Sequence, residues 1–179
     1  MVLYALIASL PQLKWDEAPH ITLEELTDST DLYLNSTRAE LFRKLSLSAD
    51  AADFPKNSFA ADYLAWETAF RNSIAKLRAA RLNLDAAPYL HADGAYETDA
   101  DRSVREAFAA GNPLEREKML DFARWQKIEE LEFGNRFNFN VLCAYKLKLE
   151  LLLKWKARDA GQSQKNLDLA AEEVRKEAV

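Results

Sequence analysis

The stretch from Val141 to Arg158, VLCAYKLKLELLLKWKAR, decides the fold class. At 3.6 residues per turn, a helix over this stretch carries apolar side chains on two sides rather than one. The first stripe consists of Val141, Leu142, Tyr145, Leu149, Leu152 and Leu153. The second stripe consists of Ala144, Leu147, Leu151 and Trp155. We therefore predict a helix that is covered on both sides, either by its own domain alone, which the pattern favours, or by its domain and a partner.

A narrow polar strip separates the two stripes. Lys146, Glu150 and Lys154 follow one another at intervals of four residues and alternate in sign. Trp155 lies on the second stripe, and tryptophan often dominates the binding energy of protein interfaces. We therefore predict Lys146, Glu150, Lys154 and Trp155 as candidate interface residues, and we expect Tyr145 to belong to the core.

Helix signals recur along the rest of the chain. Thr22-Leu23-Glu24-Glu25 has the pattern of a capping box, and Asn112-Pro113 places a good N-cap before a proline. Glycine is scarce, with 4 residues, which favours helix. The predicted helices cover about 23–34, a segment capped by Ser36 or Thr37, about 57 or 58 to 84, 101–110, 113–133 and 141–158, and a terminal helix beyond a break at Gly161 and Ser163. This pattern predicts an all-α fold, an antiparallel helical bundle with long helices.

Chain length and local composition limit the number of domains. A chain of 179 residues is long enough for one well-filled core. Residues 85–100 contain Pro88 and Gly94 and few apolar side chains, which is typical of a loop. We expect a single helical domain over 1–179, or two lobes, 1–84 and 101–179, joined by that loop.

Charge and hydropathy exclude several classes of protein. The net charge is −5, and residues 1–112 hold 11 basic and 17 acidic side chains, whereas residues 113–179 hold 13 and 12. A nucleic-acid-binding protein needs a basic face, which this distribution does not favour. The apolar segment from Met1 to Leu10 is too short to span a bilayer and is interpreted as packed on the protein. We expect a cytoplasmic protein without direct membrane insertion.

Motifs that carry chemistry are not found in the sequence. The glycines, at 94, 111, 134 and 161, form no phosphate-binding loop, and the two histidines, His20 and His91, have no partner at metal-ligand spacing. Cys143 is expected to be a buried, inert thiol. The acidic group Asp93/Glu97/Asp99/Asp101 and the basic side of the long helix before the loop, Arg71/Lys76/Arg78/Arg81, are interpreted as solvated surface. The acids Glu129/Glu130/Glu132 at a helix end are interpreted as incidental, with a salt-bridging edge for Arg136 or a partner as the alternative. We therefore expect no catalytic residue, no cofactor and no metal, and predict that the protein is not an enzyme.

Two segments carry a resemblance to a known family. The order Asn138-Phe139-Asn140, Tyr145, Glu150, a Leu/Lys run, Gly161 and Glu172-Glu173-Val174-Arg175 resembles the closing segment of the C subunit of V-type ATPases, which is called d in eukaryotes. The opening, Tyr4-Ala-Leu-Ile-Ala-Ser-Leu-Pro11, is similar to the start of an uncharacterised bacterial family encoded in V-type ATPase operons that lack an ordinary C subunit. The chain is much shorter than the C subunit, which has three repeated helical domains.

The resemblance implies a function. A protein like the C subunit would be a non-catalytic structural component that couples the central shaft of the ATPase to the membrane rotor ring, and would be held at the membrane through the complex. Its expected partners are the central-shaft subunits and the rotor ring. The alternatives are a stand-alone α-helical adaptor or regulatory protein unrelated to the ATPase and, less favoured, an enzyme with its site in the loop from Asp85 to Asp101.

Overall fold

Helices make up the regular structure of the described chain. The structure, a computed structural model, describes residues 2–91 and 98–177, with the side chains of 3–91, 98–159 and 161. The elements within these ranges are α1 (Val2–Ser9), α2 (Leu23–Asp31), α3 (Ser36–Lys44), α4 (Phe59–Leu82), α5 (Thr98–Ala109), α6 (Pro113–Glu132) and α7 (Phe139–Glu177), with short 3-10 turns at Ala51–Asp53 and Ala87–Tyr89. The prediction of an all-α bundle with long helices is confirmed.

Polar caps start the helices as the sequence predicts, with one exception. The capping box is formed: the backbone N–H of Glu25 donates to Thr22 Oγ1 at 3.1 Å, and the N–H of Thr22 donates to Glu25 Oε2 at 2.8 Å. Ser58 caps α4, and Asn112 caps α6 before Pro113. The predicted cap of α3, Ser36 or Thr37, is wrong, because Asn35 Oδ1 accepts the N–H of residue 38 one turn into the helix.

Helix boundaries without a local capping signal are less well predicted. α2 ends at Asp31, three residues before the predicted end, and α5 begins at Thr98, three residues before the predicted start. α6 ends where expected, since Gly134 follows it with a φ of 82°, a left-handed conformation that glycine adopts without strain. The predicted break at Gly161 is wrong: α7 continues as one helix of 39 residues. A single glycine inside a helix costs only about 1 kcal/mol, too little to stop a segment with good helix formers on both sides.

Two hydrophobic clusters form the core, and α7 belongs to both. The larger cluster joins α4, α5, α6 and one side of α7, where Cys143, Ala144, Leu147, Leu151 and Leu152 are buried. The smaller cluster joins α1, α2, α3 and the other side of α7, where Leu142 and Leu149 are fully buried. The prediction that α7 is covered on two sides is confirmed, although Leu152 packs in the larger cluster rather than with Leu149. Both sides of the helix are covered by the chain itself.

Residues before and after the 85–100 segment share one core. Side chains of α4 pack against those of α5, α6 and α7 within the larger cluster. At the N-terminus, Leu6 of α1 is buried in the smaller cluster, as expected for a packed segment. Among the residues described, no helix is both long enough and apolar enough to span a bilayer. The number of lobes that fold independently stays a prediction.

Candidate functional site

The polar strip of α7 fastens this helix to the rest of the protein. Lys146 is only 6% exposed, and its Nζ donates to the carbonyl oxygens of Phe42 at 2.6 Å and Arg43 at 3.2 Å. These carbonyls lie in the last turn of α3, where helix geometry leaves them without an intrahelical partner and where the helix dipole favours a cation. Burial lowers the pKa of Lys146.

Glu150 makes the next contact along the strip. One of its carboxylate oxygens, Oε2, accepts the backbone N–H of Leu47 at 2.9 Å, in the segment that follows α3. Burial raises the pKa of Glu150, and this effect outweighs the opposing hydrogen bond from Leu47 and the charge of Lys146. Lys146 and Glu150 therefore hold α7 against α3 and the chain that leaves it.

Lys154 reaches the opposite neighbour, α6. Its Nζ donates to Asp121 Oδ2 at 2.6 Å, and Asp121 is fully buried. Arg124 donates from Nη1 to the other oxygen of Asp121 at 2.9 Å. The same guanidinium donates from Nε and Nη2 to the two carboxylate oxygens of Glu67 on α4, at 2.9 and 3.0 Å, which is the bidentate geometry that arginine favours.

These contacts form an ion network of Glu67, Arg71, Asp121, Arg124 and Lys154, in which the two acids are buried and Arg71 and Lys154 are partly exposed. Arg71 completes it by donating from Nε to Glu67 at 2.7 Å and from Nη2 to the carbonyl of Leu47. The pKa of Arg124 is raised, since the charges and hydrogen bonds of Glu67 and Asp121 outweigh its burial. The network joins α4, α6 and α7 at one point. The interpretation of Arg71 as part of a solvated face is therefore incomplete, because this side chain is 40% exposed but also holds Glu67 and the Leu47 carbonyl.

A groove opens beside this network. It encloses about 730 Å³ between α4 and α6 and extends to the 3-10 turn that contains Tyr89. The network residues form one end, and Leu82, Leu84 and Tyr89 line the other. The position of this groove was not predicted from the sequence, because it depends on the packing of α4 on α6.

Trp155 lies at a separate, aromatic surface. It lines a recess of about 450 Å³ with Trp15 and Leu114, and the ring of Trp15 lies 5.5 Å from that of Phe122. We call Trp15, Leu114, Phe122 and Trp155 the aromatic surface. Within the described chain, the buried indole nitrogen of Trp155 has no hydrogen-bond partner. The guanidinium group of Arg158 lies over the same ring, 5.3 Å from its centre.

The four predicted interface residues thus lie in different places. Lys146 is buried, Glu150 and Lys154 are bonded within the chain, and Trp155 borders the aromatic surface. Their contact with a partner stays a prediction. Tyr145, expected in the core, packs against the smaller cluster and donates its hydroxyl to the carbonyl of Pro11 at 2.8 Å, and burial raises its pKa to about 12.

The acidic groups have structural partners. Asp99 accepts from Lys127 and from the indole of Trp66, both at 3.2 Å, and although burial opposes it, Lys127 holds the pKa of Asp99 below its usual value. Glu132, at the end of α6, is 25% exposed and pairs with Lys148 at 2.6 Å. The solvated-surface interpretation is therefore incomplete for Asp99. At the end of α6, Glu129 and Glu132 form a salt-bridging edge, the alternative that the sequence left open, with Lys148 as its partner. Asp93 and Glu97 lie outside the described residues.

Two side chains with reactive groups, Cys143 and Tyr63, are buried. The thiol of Cys143 is buried, as expected, and burial raises its pKa to about 12, so that it stays protonated at neutral pH. The phenol of Tyr63, beside the ion network, is also buried and has a pKa well above its usual value because of burial and the charge of Glu67. Among the described side chains, those of 3–91, 98–159 and 161, no group of three or more His, Cys, Asp or Glu is arranged to hold a metal ion.

Sequence reasoning missed the acidic centre of the ion network. Glu67 lies within one turn of Tyr63 and Phe70, on a helix face that is otherwise apolar, and a buried charge on such a face must be paired. The pairs within one helix, Glu67–Arg71 and Asp121–Arg124, have a spacing that the sequence shows. The contacts of Arg124 with Glu67 and of Lys154 with Asp121 join different helices and are not visible in the pattern.

Comparison with known proteins finds one family model that matches part of the chain. No curated protein matches the chain, and no solved structure does. Residues 97–168, which run from the start of α5 to within α7, match the model of a family described as a protein of unknown function, DUF2764.

Proposed function

We propose that the protein is a non-catalytic structural subunit of a bacterial V-type ATPase, which couples the central shaft to the membrane rotor ring. The proposal starts from the residue order in α7 and at the N-terminus, which resembles the C subunit and a family encoded in operons that lack it. The family match over residues 97–168 includes most of the packed part of α7 but brings no function of its own.

The observation that carries the proposal is the way α7 is held. A protein that transmits torque must keep its contact surfaces fixed relative to one another. Lys146, Glu150 and Lys154 lie at successive turns of α7, and each makes a charge-assisted hydrogen bond to a different neighbouring segment. Apolar contacts on both sides add to these bonds. The helix whose residue order resembles the C subunit is therefore fixed along its packed length.

The aromatic surface supplies a place for a partner. Phe122 and Leu114 are large and apolar and remain exposed, and they lie beside Trp15 and Trp155. Aromatic residues clustered on a rigid surface are typical of binding sites between proteins. In this proposal, Trp155 and its neighbours form the contact with a shaft or ring protein.

A matched pair of substitutions tests the proposal. Leu114→Glu puts a charge on the aromatic surface, in the first turn of α6, where an acid is compatible with the helix dipole. Leu32→Glu makes the same change at a side chain that is 82% exposed on the C-terminal side of α2. Tagged wild-type and variant chains would be recovered from the native host in mild detergent, and the shaft and ring subunits quantified by mass spectrometry.

We expect wild type and Leu32→Glu to recover these subunits in a fixed ratio, and Leu114→Glu to recover at least tenfold less while keeping its helical circular dichroism. Recovery of the wild-type chain alone, or with unrelated partners, would contradict the ATPase role and favour the stand-alone adaptor. Equal recovery by both variants would remove the aromatic surface from the proposal.

A further inference from the structure

The groove beside the ion network has the size of a ligand site. It encloses about 730 Å³, within the range of roughly 300–1,000 Å³ that small-molecule sites occupy. Its α4 wall runs from Glu67 to Leu82, which corresponds to a length of about 22 Å at 1.5 Å per residue. The groove is therefore long enough and large enough for a small molecule with an extended chain.

The charged side chains of the groove differ in burial. The carboxylates of Glu67 and Asp121 are 3% and 1% exposed and are bound by Arg71, Arg124 and Lys154, whereas the third acid of the lining, Glu117, is 34% exposed and pairs with Arg78. The side chains of Arg71, Lys154 and Arg78 are 40%, 45% and 60% exposed. The accessible charge of the groove is therefore mainly basic, and each of these cations has N–H donors beyond those used in its intramolecular bonds.

The far end of the groove is apolar and accessible. Leu82, Leu84 and Tyr89 line it, and each side chain is more than half exposed. Covering this apolar surface with a ligand would lower the free energy. Ile74 continues the apolar wall toward the ion network. The groove thus has cations at one end and along its edge and an uncovered apolar surface at the other.

We propose that this groove binds a single-chain amphiphile with an anionic head group, with the head at Arg71 and Lys154, Arg78 beside the chain, and the tail on Leu82, Leu84 and Tyr89. A medium-chain carboxylate is the simplest such ligand. The same chemistry occurs in a free fatty acid and in an acyl chain of an anionic membrane lipid. This inference goes beyond the proposed function and does not depend on it.

Calorimetry with decanoate, decyltrimethylammonium and decyl maltoside, each below its critical micelle concentration, tests the head-group preference. The three probes share a ten-carbon tail and differ in charge. We expect decanoate to bind saturably at one per chain, and the cationic and neutral probes to bind at least tenfold more weakly. Equal binding of all three, or no saturable binding of decanoate to the folded chain, would overturn the proposal.

Substitutions in the groove test whether decanoate binds there. Leu82→Glu places a charge at the apolar end and is expected to weaken decanoate binding at least tenfold, whereas Leu32→Glu, outside the groove, leaves it unchanged. Arg78→Gln removes an exposed cation while sparing the ion network, and is expected to weaken binding about threefold. Unchanged binding in Leu82→Glu would place the ligand elsewhere.

Sedimentation with phosphatidylglycerol vesicles distinguishes a free fatty acid from an anionic membrane lipid as the ligand. Binding of decanoate without vesicle binding would identify a free amphiphile, whereas vesicle binding that Leu82→Glu abolishes would identify a membrane lipid. Both results support the groove. Vesicle binding that Leu82→Glu leaves intact, without decanoate binding, would contradict it.

Discussion

Arg124 donates hydrogen bonds to two buried carboxylates from a side chain that is itself only 14% exposed. It holds Glu67 and Asp121 together and lies 4.9 Å from the ring centre of Phe70. Taking two carboxylates out of water is costly unless a cation compensates them. The stability of the contact among α4, α6 and α7 therefore depends on this residue.

Removal of that cation gives the first prediction. Arg124→Met keeps an apolar stem but leaves Glu67 with Arg71 alone and Asp121 with Lys154 alone, so we expect a loss of about 3–5 kcal/mol in the free energy of unfolding. Arg78→Met, at a 60% exposed side chain paired at 3.5 Å with Glu117, should change it by less than about 0.5 kcal/mol. Urea denaturation measures both. Equal effects of the two variants would show that the network does not stabilise the fold.

Glu150 gives a prediction about pH. Because burial raises its pKa in the folded state, the folded state binds more protons than the unfolded state in the window above the ordinary carboxyl pKa. The contribution of Glu150 to stability therefore falls as pH rises through that window. Glu150→Gln keeps an oxygen for the N–H of Leu47 and removes the charge, so we expect it to be more stable than wild type at pH 7 and equal to it below about pH 4.

Glu40 is the matched control, with the opposite sign. The hydrogen bond and charge of Lys44 lower its pKa, so its contribution to stability is present at neutral pH and is lost as pH falls through the folded-state pKa. Glu40→Gln should be slightly less stable than wild type at pH 7, with the difference vanishing in acid. Unfolding free energies measured between about pH 3 and 8 give both curves. A Glu150→Gln variant less stable than wild type at neutral pH would contradict the assignment.

At the scale of the element, boundaries that carry a local capping signal were predicted better than those without one. A capping box or an Asn-Pro pair involves residues within one turn, so the sequence itself contains the interaction. The end of α2 and the start of α5 depend on where the chain must turn to pack. The break at Gly161 was predicted from residue type, but a glycine stops a helix only where the backbone takes a left-handed conformation, as at Gly134.

The two glycines therefore predict opposite effects of alanine. Gly161→Ala, within continuous helix and with no atom within 4 Å of the added Cβ, should stabilise α7 by about 0.5–1 kcal/mol. Gly134→Ala also meets no neighbour, but its φ of 82° should cost about 1 kcal/mol or more. Circular dichroism and amide hydrogen exchange across residues 158–165 would report the first change. Lower helicity in Gly161→Ala would show that the helix is interrupted at Gly161, as the sequence predicted.

The substitution of Lys146 by Glu shows why contacts between helices could not be predicted from the sequence. From the alternating strip alone, a charge reversal there is a natural test of a partner interface. The structure places the Lys146 ammonium against two carbonyl oxygens at the end of α3, so a carboxylate would be repelled and the fold itself would be disturbed. Four-residue spacing showed that the strip was polar, but not which segment would cover it.

At the scale of the whole molecule, the two-sided helix was the most informative prediction. The apolar stripes indicated correctly that α7 is central, since side-chain direction follows from helix periodicity alone. The identity of the covering segments, the ion network and the groove arise from the packing of α4 on α6 and α7. Such features join residues far apart in the chain, as in the contact between Glu150 and Leu47, which are 103 positions apart.

Membership of a V-type ATPase is tested most directly on the assembled complex. A catalytic component of the ATPase would be tagged in the native host, the complex purified in mild detergent, and the stoichiometry of this chain determined by quantitative mass spectrometry. We predict a fixed ratio to the central-shaft proteins that persists through size-exclusion chromatography. An intact complex of shaft and ring that lacks this chain would contradict the proposed role.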